Sequence, residues 1–235
     1  MSNHVPLYLN ISFILTTLLA AGILALLLRT ASKPISSGSA FGIMATIVIW
    51  LIIQALLSYS GIYTDYPEAL PPNIILFGVL PALTTIIIIF STRKGKQFLD
   101  RLSMQMLCYV HIVRIPVELV LYGLFINGAV PELMTFEGRN LDILAGITAP
   151  AVGFFGIGQS KMGKTSLLAW NFICLALLLN IVFNAILSAP SPFQQFAFDQ
   201  PNVAILNFPY SWLPVFIVPL VLFAHLAAIR KLIKS

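Results

Sequence analysis

Charge is scarce in this chain. Asp, Glu, Lys and Arg together make up 9% of its 235 residues, where soluble proteins carry about a quarter. So few ionised side chains cannot build a water-facing surface, and a soluble globular domain is excluded. Cysteine is nearly absent too: Cys108 and Cys174 both lie inside apolar stretches. A disulfide framework or a zinc site would need more cysteines at loop spacings, so no metal and no cofactor are expected. The formal net charge is +5, but the basic residues form no single patch, which sets nucleic acid aside as a partner.

Apolar residues are what the chain has in plenty, at 59%. Seven spans of about 21 residues each would take about 147 of the 235 residues. About 11 would remain for each terminus and connection, too few for a folded soluble domain. The expected fold is an all-α polytopic membrane protein: one seven-helix transmembrane domain over residues 1–235. The spans are read at 7–29, 39–59, 73–91, 102–126, 140–158, 166–188 and 211–229. The first is too long for a cleaved signal peptide, too polar at Asn10, Ser12, Thr16 and Thr17, and without a basic start.

Lysine and arginine orient the bundle. The 1–2 connection holds Arg29 and Lys33, the 3–4 connection Arg93, Lys94, Lys96 and Arg101, the 5–6 connection Lys161 and Lys164, and the tail Arg230, Lys231 and Lys234. On the opposite side only Arg139 is basic, beside the acidic Asp65, Glu68, Glu132, Glu137 and Asp199. The expectation is an N-terminus outside and a C-terminus inside, in the plasma (inner) membrane. The outer 6–7 connection carries Phe193, Phe196, Phe198, Phe208, Tyr210 and Trp212 among five prolines. It reads as an interfacial aromatic belt, or as a lid over an outward-facing cavity.

The chain also echoes itself at an offset near 130. Gln54-Ala55-Leu56-Leu57-Ser58 is followed by Pro72-Asn73, and Asn184-Ala185-Ile186-Leu187-Ser188 by Pro201-Asn202. Asn10 aligns with Asn140, and Ser32-Lys33 with Ser160-Lys161. These matches suggest parallel repeats over 1–92 and 131–229 with 102–126 as the linker helix, a 3+1+3 plan known among transporters. At the level of helix count and order alone, this resembles the sugar-transporting SWEET proteins and the seven-helix opsins. The Pro-Gln signature that the SWEET resemblance implies is missing. The span-7 lysine that an opsin resemblance implies for retinal is missing as well, because residues 211–229 contain no lysine.

Span 4 is the most informative segment. His111, Arg114, Glu118 and Tyr122 fall within about 80° of one another at 100° per residue. A charged residue near the bilayer midplane costs about 2.5–3.5 kcal/mol on insertion scales, so Arg114 is expected to face the bundle interior. Arg114 and Glu118 are four apart and can pair along the helix, while Pro116 frees the carbonyl of Ile112 and bends it. A second cluster opens span 5: Glu137, Gly138, Arg139, Asn140 and Asp142. Neighbouring helices could join Glu118, Asp142 and Arg139, and the start of helix 5 would favour an anion. Equally, Asn140 or Asp142 could be a helix cap. Asn180 and Asn184 share a face, and with Gln54, Asn171, Trp50 and Trp170 they could bind helices together or reach a ligand.

Three further patterns are weighed. His111 and His225 at similar depth could ligate iron, or be ordinary hydrogen-bonded histidines. Gly158-Gln159-Ser160-Lys161-Met162-Gly163-Lys164-Thr165 fits the phosphate-loop pattern letter for letter. That motif needs a strand before it, whereas here a membrane helix precedes a short turn. Ala145, Ala149, Gly153 and Gly156 should let a neighbouring helix approach span 5 closely.

The leading functional expectation is a small-molecule transporter or ligand-binding permease. Arg114 would be the partner of an anionic ligand, and Glu118 and Asp142 the proton or cation carriers. The ligand-binding residues expected are His111, Arg114, Glu118, Tyr122, Glu137, Arg139, Asn140, Asp142, Asn180 and Asn184. The lipid bilayer and one small molecule are the expected partners. The alternatives are a membrane-embedded enzyme on a lipid-like substrate, using Glu118, Asp142 or His111 as acid/base, and an opsin-like sensor or structural subunit without retinal.

Overall fold

The computed structural model describes residues 5–31 and 35–234, all of them helical or irregular with no strand. Ser32 and Lys33, one of the two Ser-Lys pairs of the repeat, lie outside the described residues. The helices are α1 (Leu7–Arg29), α2 (Ser37–Tyr59), α3 (Ile75–Ser91), α4 (Arg93–Arg101), α5 (Met104–Ile126), α6 (Ile143–Gly158), α7 (Lys164–Ser188) and α8 (Leu213–Lys234). Five of them, α1, α2, α5, α7 and α8, are long and apolar enough to cross a membrane. The bent pair α3 and α4 makes a sixth candidate, and α6 is a shorter apolar helix. This is a membrane-embedded helical fold, because in hydrocarbon a helix satisfies its own backbone groups.

Helices α5 and α8 form the centre. They pack on each other, with α1 and α6 flanking α5 and with α3 and α7 flanking α8. α2 leans on α1 at the rim and is the least buried of the five long helices.

Three helices contain wide π-helical turns: Ile75–Val79 in α3, Val152–Gly158 in α6 and Leu213–Ile217 in α8. Proline explains two of the consequences. Pro81 has no N–H for the carbonyl of Phe77, and Pro219 none for that of Val215. α2 supplies both missing donors: Gln54 Nε2 donates to Phe77 at 3.0 Å and Trp50 Nε1 to Val215 at 3.1 Å. Trp212 Nε1 returns a bond to the carbonyl of Leu51 at 3.0 Å, and Ser58 Oγ donates to that of Leu206 at 3.1 Å. The C-terminal half of α2 is thus stitched to α3, α8 and the loop before α8.

Hydropathy located the apolar helices, and the structure changes three boundaries. The connection at 92–101 contains the amphipathic helix α4, capped by Thr92 Oγ1 accepting from Gly95 N at 3.2 Å and turned 88° from α3. The helix expected from 140 starts at Ile143, because Asn140 and Asp142 are held in a turn. The last helix continues past 229 to Lys234, where Lys234 and Arg230 pair with Asp100 of α4. Pro116 leaves α5 as one candidate span, and the chain tightens into a 3-10 turn at Val110–Val113.

Candidate functional site

At the centre of the bundle, where α5 meets α6, α7 and α8, the structure gathers charge. Arg114 of α5 is 2% exposed. Its Nη1 donates to Asp142 Oδ1 at 2.6 Å and to the carbonyl of Cys174 at 3.2 Å, and its Nη2 lies 2.8 Å from His225 Nε2. His225 Nδ1 in turn lies 3.1 Å from Asn171 Oδ1. Asn171 Nδ2 donates to the carbonyl of Leu167 at 2.9 Å. The Nε of Arg114 has no partner among the described residues.

Small residues on α6 let it come this close. Ala145, Gly146 and Ala149 are buried on the face toward α5. A Cβ at Gly146 would stand 2.8 Å from Ile115 Cγ1 and 3.3 Å from Arg114 Cβ, so glycine is needed here. Gly153 likewise lies against the Tyr109 ring.

One turn further along α5, Glu118 has a separate partner. Asn140 Nδ2 stands 2.6 Å from both Glu118 oxygens and 3.0 Å from the carbonyl of Met134, while Asn140 Oδ1 accepts from Asp142 N at 3.0 Å. The turn before α6 therefore delivers two side chains to α5: Asn140 to Glu118 and Asp142 to Arg114. Among the described residues, the ion pair of Arg114 is with Asp142 and not along the helix with Glu118. Asp142 stands at the helix start but makes no side-chain cap.

Of the ten residues expected at the site, Arg114, Glu118, Asn140 and Asp142 come together, with His111 behind them. His111 is fully buried, stacked on His225 with centroids 3.9 Å apart and edge-on to Trp170. Both its ring nitrogens are without partners among the described residues. Face-to-face stacking points the nitrogen lone pairs alongside each other rather than at one another. The iron-ligand reading of this pair therefore does not fit. Among the described residues no three His, Cys, Asp or Glu side chains gather as a metal set.

The other five stand further out. Tyr122 stacks on Phe136 and lies beside Glu137. Exposed Arg139 sits 5.4 Å from the Phe196 ring and offers its carbonyl to Asn180 Nδ2 at 2.8 Å, and Asn184 Nδ2 donates to the carbonyl of Asn180 at 2.9 Å. These residues tie the loops before α6 and after α7 to α7. The structure joins Asp142, but not Arg139, to the span-4 cluster. His225 and Asn171 belong to the network as well, His225 as a hydrogen-bonded histidine and Asn171 as a contact between helices. Their signal was a histidine and an amide on apolar helices, each costly in hydrocarbon without a partner.

The phosphate-loop match is a helix ending. The N–H groups of Gln159, Lys161 and Met162 donate back to the carbonyls of Phe154, Phe155 and Gly156, so they cannot cradle phosphate.

An apolar cavity of about 350 Å³ ends on this cluster. Its walls are α3 (Val79, Leu83), α5 (Val117, Leu121), α7 (Leu178, Ile181) and α8 (Ile217, Val221), and Tyr63, Tyr66, Pro67 and Pro190 stand at the loop end. Arg114, Glu118 and Asp142 are its charged lining residues. Leu80 and Ile186, 43% and 40% exposed, form its flank between α3 and α7.

Fold and site together define a helical membrane protein with a deep apolar chamber closed at one end by a buried ion-pair network. Residues 71–233 match a family described as a domain of unknown function (DUF8737), and the chain belongs to that family. The matched stretch runs from α3 to α8 and contains all the charged residues of the cluster. No curated protein and no solved structure matches the chain.

Proposed function

We propose that this protein is a carrier or ligand-binding permease for a small, largely apolar molecule with a polar head, bound in the α3–α5–α7–α8 chamber. The observation that carries the reading is the chamber itself, about 350 Å³ of apolar wall ending on Glu118, Arg114 and Asp142. A concave, mostly apolar site with a few convergent polar groups is what small-molecule sites look like.

The head group is a hydrogen-bond donor, such as a hydroxyl or an amine, rather than an anion. Arg114 spends both Nη groups on Asp142, Cys174 and His225, which argues against the anion partner expected from the sequence. Glu118 receives one amide nitrogen among the described residues, and two carboxylate oxygens offer about four acceptor sites. Glu118 is accordingly the ligand's anchor and the proton carrier, with Asp142 held in reserve by Arg114.

In this reading the chain has seven spans, with the N-terminus outside and the C-terminus inside the plasma (inner) membrane. The basic residues of the α3–α4, α6–α7 and tail segments then share the inner side, and the chamber opens outward. The 3+1+3 repeat gains support from α3 and α8: each opens with a π-helical turn and carries a proline two residues later, Ile75–Val79 with Pro81 and Leu213–Ile217 with Pro219. Their offset exceeds the one between α2 and α7 because the connection before α8 is the longer.

Native mass spectrometry of gently purified protein tests the proposal. The wild type should carry one discrete adduct with a hydroxyl or amine head, Ala185→Trp should lose it by filling the chamber, and Glu118→Gln should weaken it. Bare wild type, an anionic adduct, or the same adduct in Ala185→Trp overturns the reading.

A further inference from the structure

A second slot lies on the other face of α8, and it is built differently. The hydrogen bonds from Trp50, Gln54 and Ser58 of α2 all lie in its outer half. Towards Ser37 no such bond joins α2 to α3 or α8, and a cavity of about 540 Å³ stands between α1, α2, α3 and α8. Leu24, Ile47, Ala82, Ile86 and Phe223 line it, so its wall is hydrocarbon. Pro81 to Ile89 runs along it, about 12 Å of helix at 1.5 Å per residue.

One end of the slot is basic. Lys94 and the backbone of Gly95 close it, at the start of α4, where the chain has just turned 88° from α3. A helix lying across the end of a span sits at the depth of lipid headgroups. Arg93 and Lys96 flank Lys94 and are exposed. Asp100, the acidic residue of α4, is already held by Arg230 and Lys234, so it does not offset the lysines. The mouth presents net positive charge and the interior a largely apolar surface.

We propose that this slot binds one anionic phospholipid, with an acyl chain between α2 and α3 and the phosphate against Lys94. The complementarity is twofold: hydrocarbon against hydrocarbon along the slot, and a phosphodiester against the Lys94 ammonium at its mouth, as basic juxtamembrane segments attract anionic lipids. The site does not rest on the outward chamber, which α8 separates from it with the opposite face, Ile217 against Phe216. The lipid completes the packing of the inner half of α2, which otherwise leans mainly on α1.

The test offers purified full-length protein equal amounts of phosphatidylglycerol and phosphatidylcholine in mixed vesicles, strips loosely held lipid with detergent, and counts lipids per chain by native mass spectrometry. The wild type should keep one phosphatidylglycerol under conditions that remove phosphatidylcholine. Lys94→Glu should reduce that retention on the order of tenfold, given the contribution of a basic residue near an anionic headgroup and its reversal. Lys94→Arg should leave it unchanged. Thr85→Phe, which fills the slot without altering charge, should reduce it as well. Equal retention of the two lipids by the wild type overturns the proposal, and so does undiminished phosphatidylglycerol in the charge-reversed or the slot-filled protein. Should the charge reversal not fold, Lys94→Gln alone gives the same readout with the same two outcomes. Loss of the chamber's adduct in Ala185→Trp leaves this result untouched, so the two readings fail separately.

Discussion

Arg114 is held by three groups on three other segments, Asp142, the Cys174 carbonyl and His225, and this decides how the cluster responds to substitution. Removing one partner of a buried ion pair leaves the other charge uncompensated, at a cost of about 3–5 kcal/mol. Arg114→Gln should therefore lower stability by about that amount in chemical unfolding from detergent micelles, and Arg114→Gln with Asp142→Asn should recover a large part of it. Equal losses in the single and double variants would show that the pair is not coupled. That Arg114 is buried was legible from the spacing of span 4 and the cost of a midplane charge. Its partner was not. A basic residue four positions before an acidic one is the weaker helical order, and Asp142 is 28 residues away in the chain. Only the turn at Asn140, with its own bond to Asp142 N, brings that carboxylate to Arg114.

At the scale of elements, α2 acts as a clip on two proline-interrupted helices. A double-mutant cycle of Trp50→Phe and Pro219→Ala should show coupling of about 0.6–1.7 kcal/mol, the range for hydrogen bonds between membrane helices. Restoring an N–H at 219 gives Val215 an internal donor and makes the indole redundant; additive losses would refute the clip. The prolines were visible in the sequence as bends, but the donors to Phe77 and Val215 lie 23 and 165 residues away and no local pattern points to them.

Helix α4 went unread as a helix because its charges looked like a connection. Its Asp100 clasps the end of α8, and the Arg230 and Lys234 cations lower its carboxyl from 3.8 to about 2. A depressed carboxyl stabilises the folded state above its unfolded value and loses that contribution as pH falls. The clasp should hold above about pH 4 and weaken from there toward pH 2. Spin labels at Gln97 and Ile233 should report one narrow distance at neutral pH and a broad one below that window. Asp100→Asn should give the broad distribution at every pH, and a narrow one in that variant would contradict the clasp.

The molecule is a helical bundle with a cavity on each of two opposite faces of α8, one ending on buried charge and one on the exposed Lys94. Composition alone established the membrane class, and hydropathy located the apolar helices. The sequence pointed to a cavity beneath the 6–7 connection but not to its apolar walls, which arise where α3 and α7 both pack on α8 and leave space between them. The central claim is that this space holds an apolar ligand anchored on Glu118. An experimental density map of the protein in lipid nanodiscs tests it most directly. Continuous elongated density is expected from the Tyr66 and Pro190 end to within hydrogen-bond distance of the Glu118 carboxylate. A chamber collapsed by contact between α3 and α7, or density that stops short of Glu118, would contradict it.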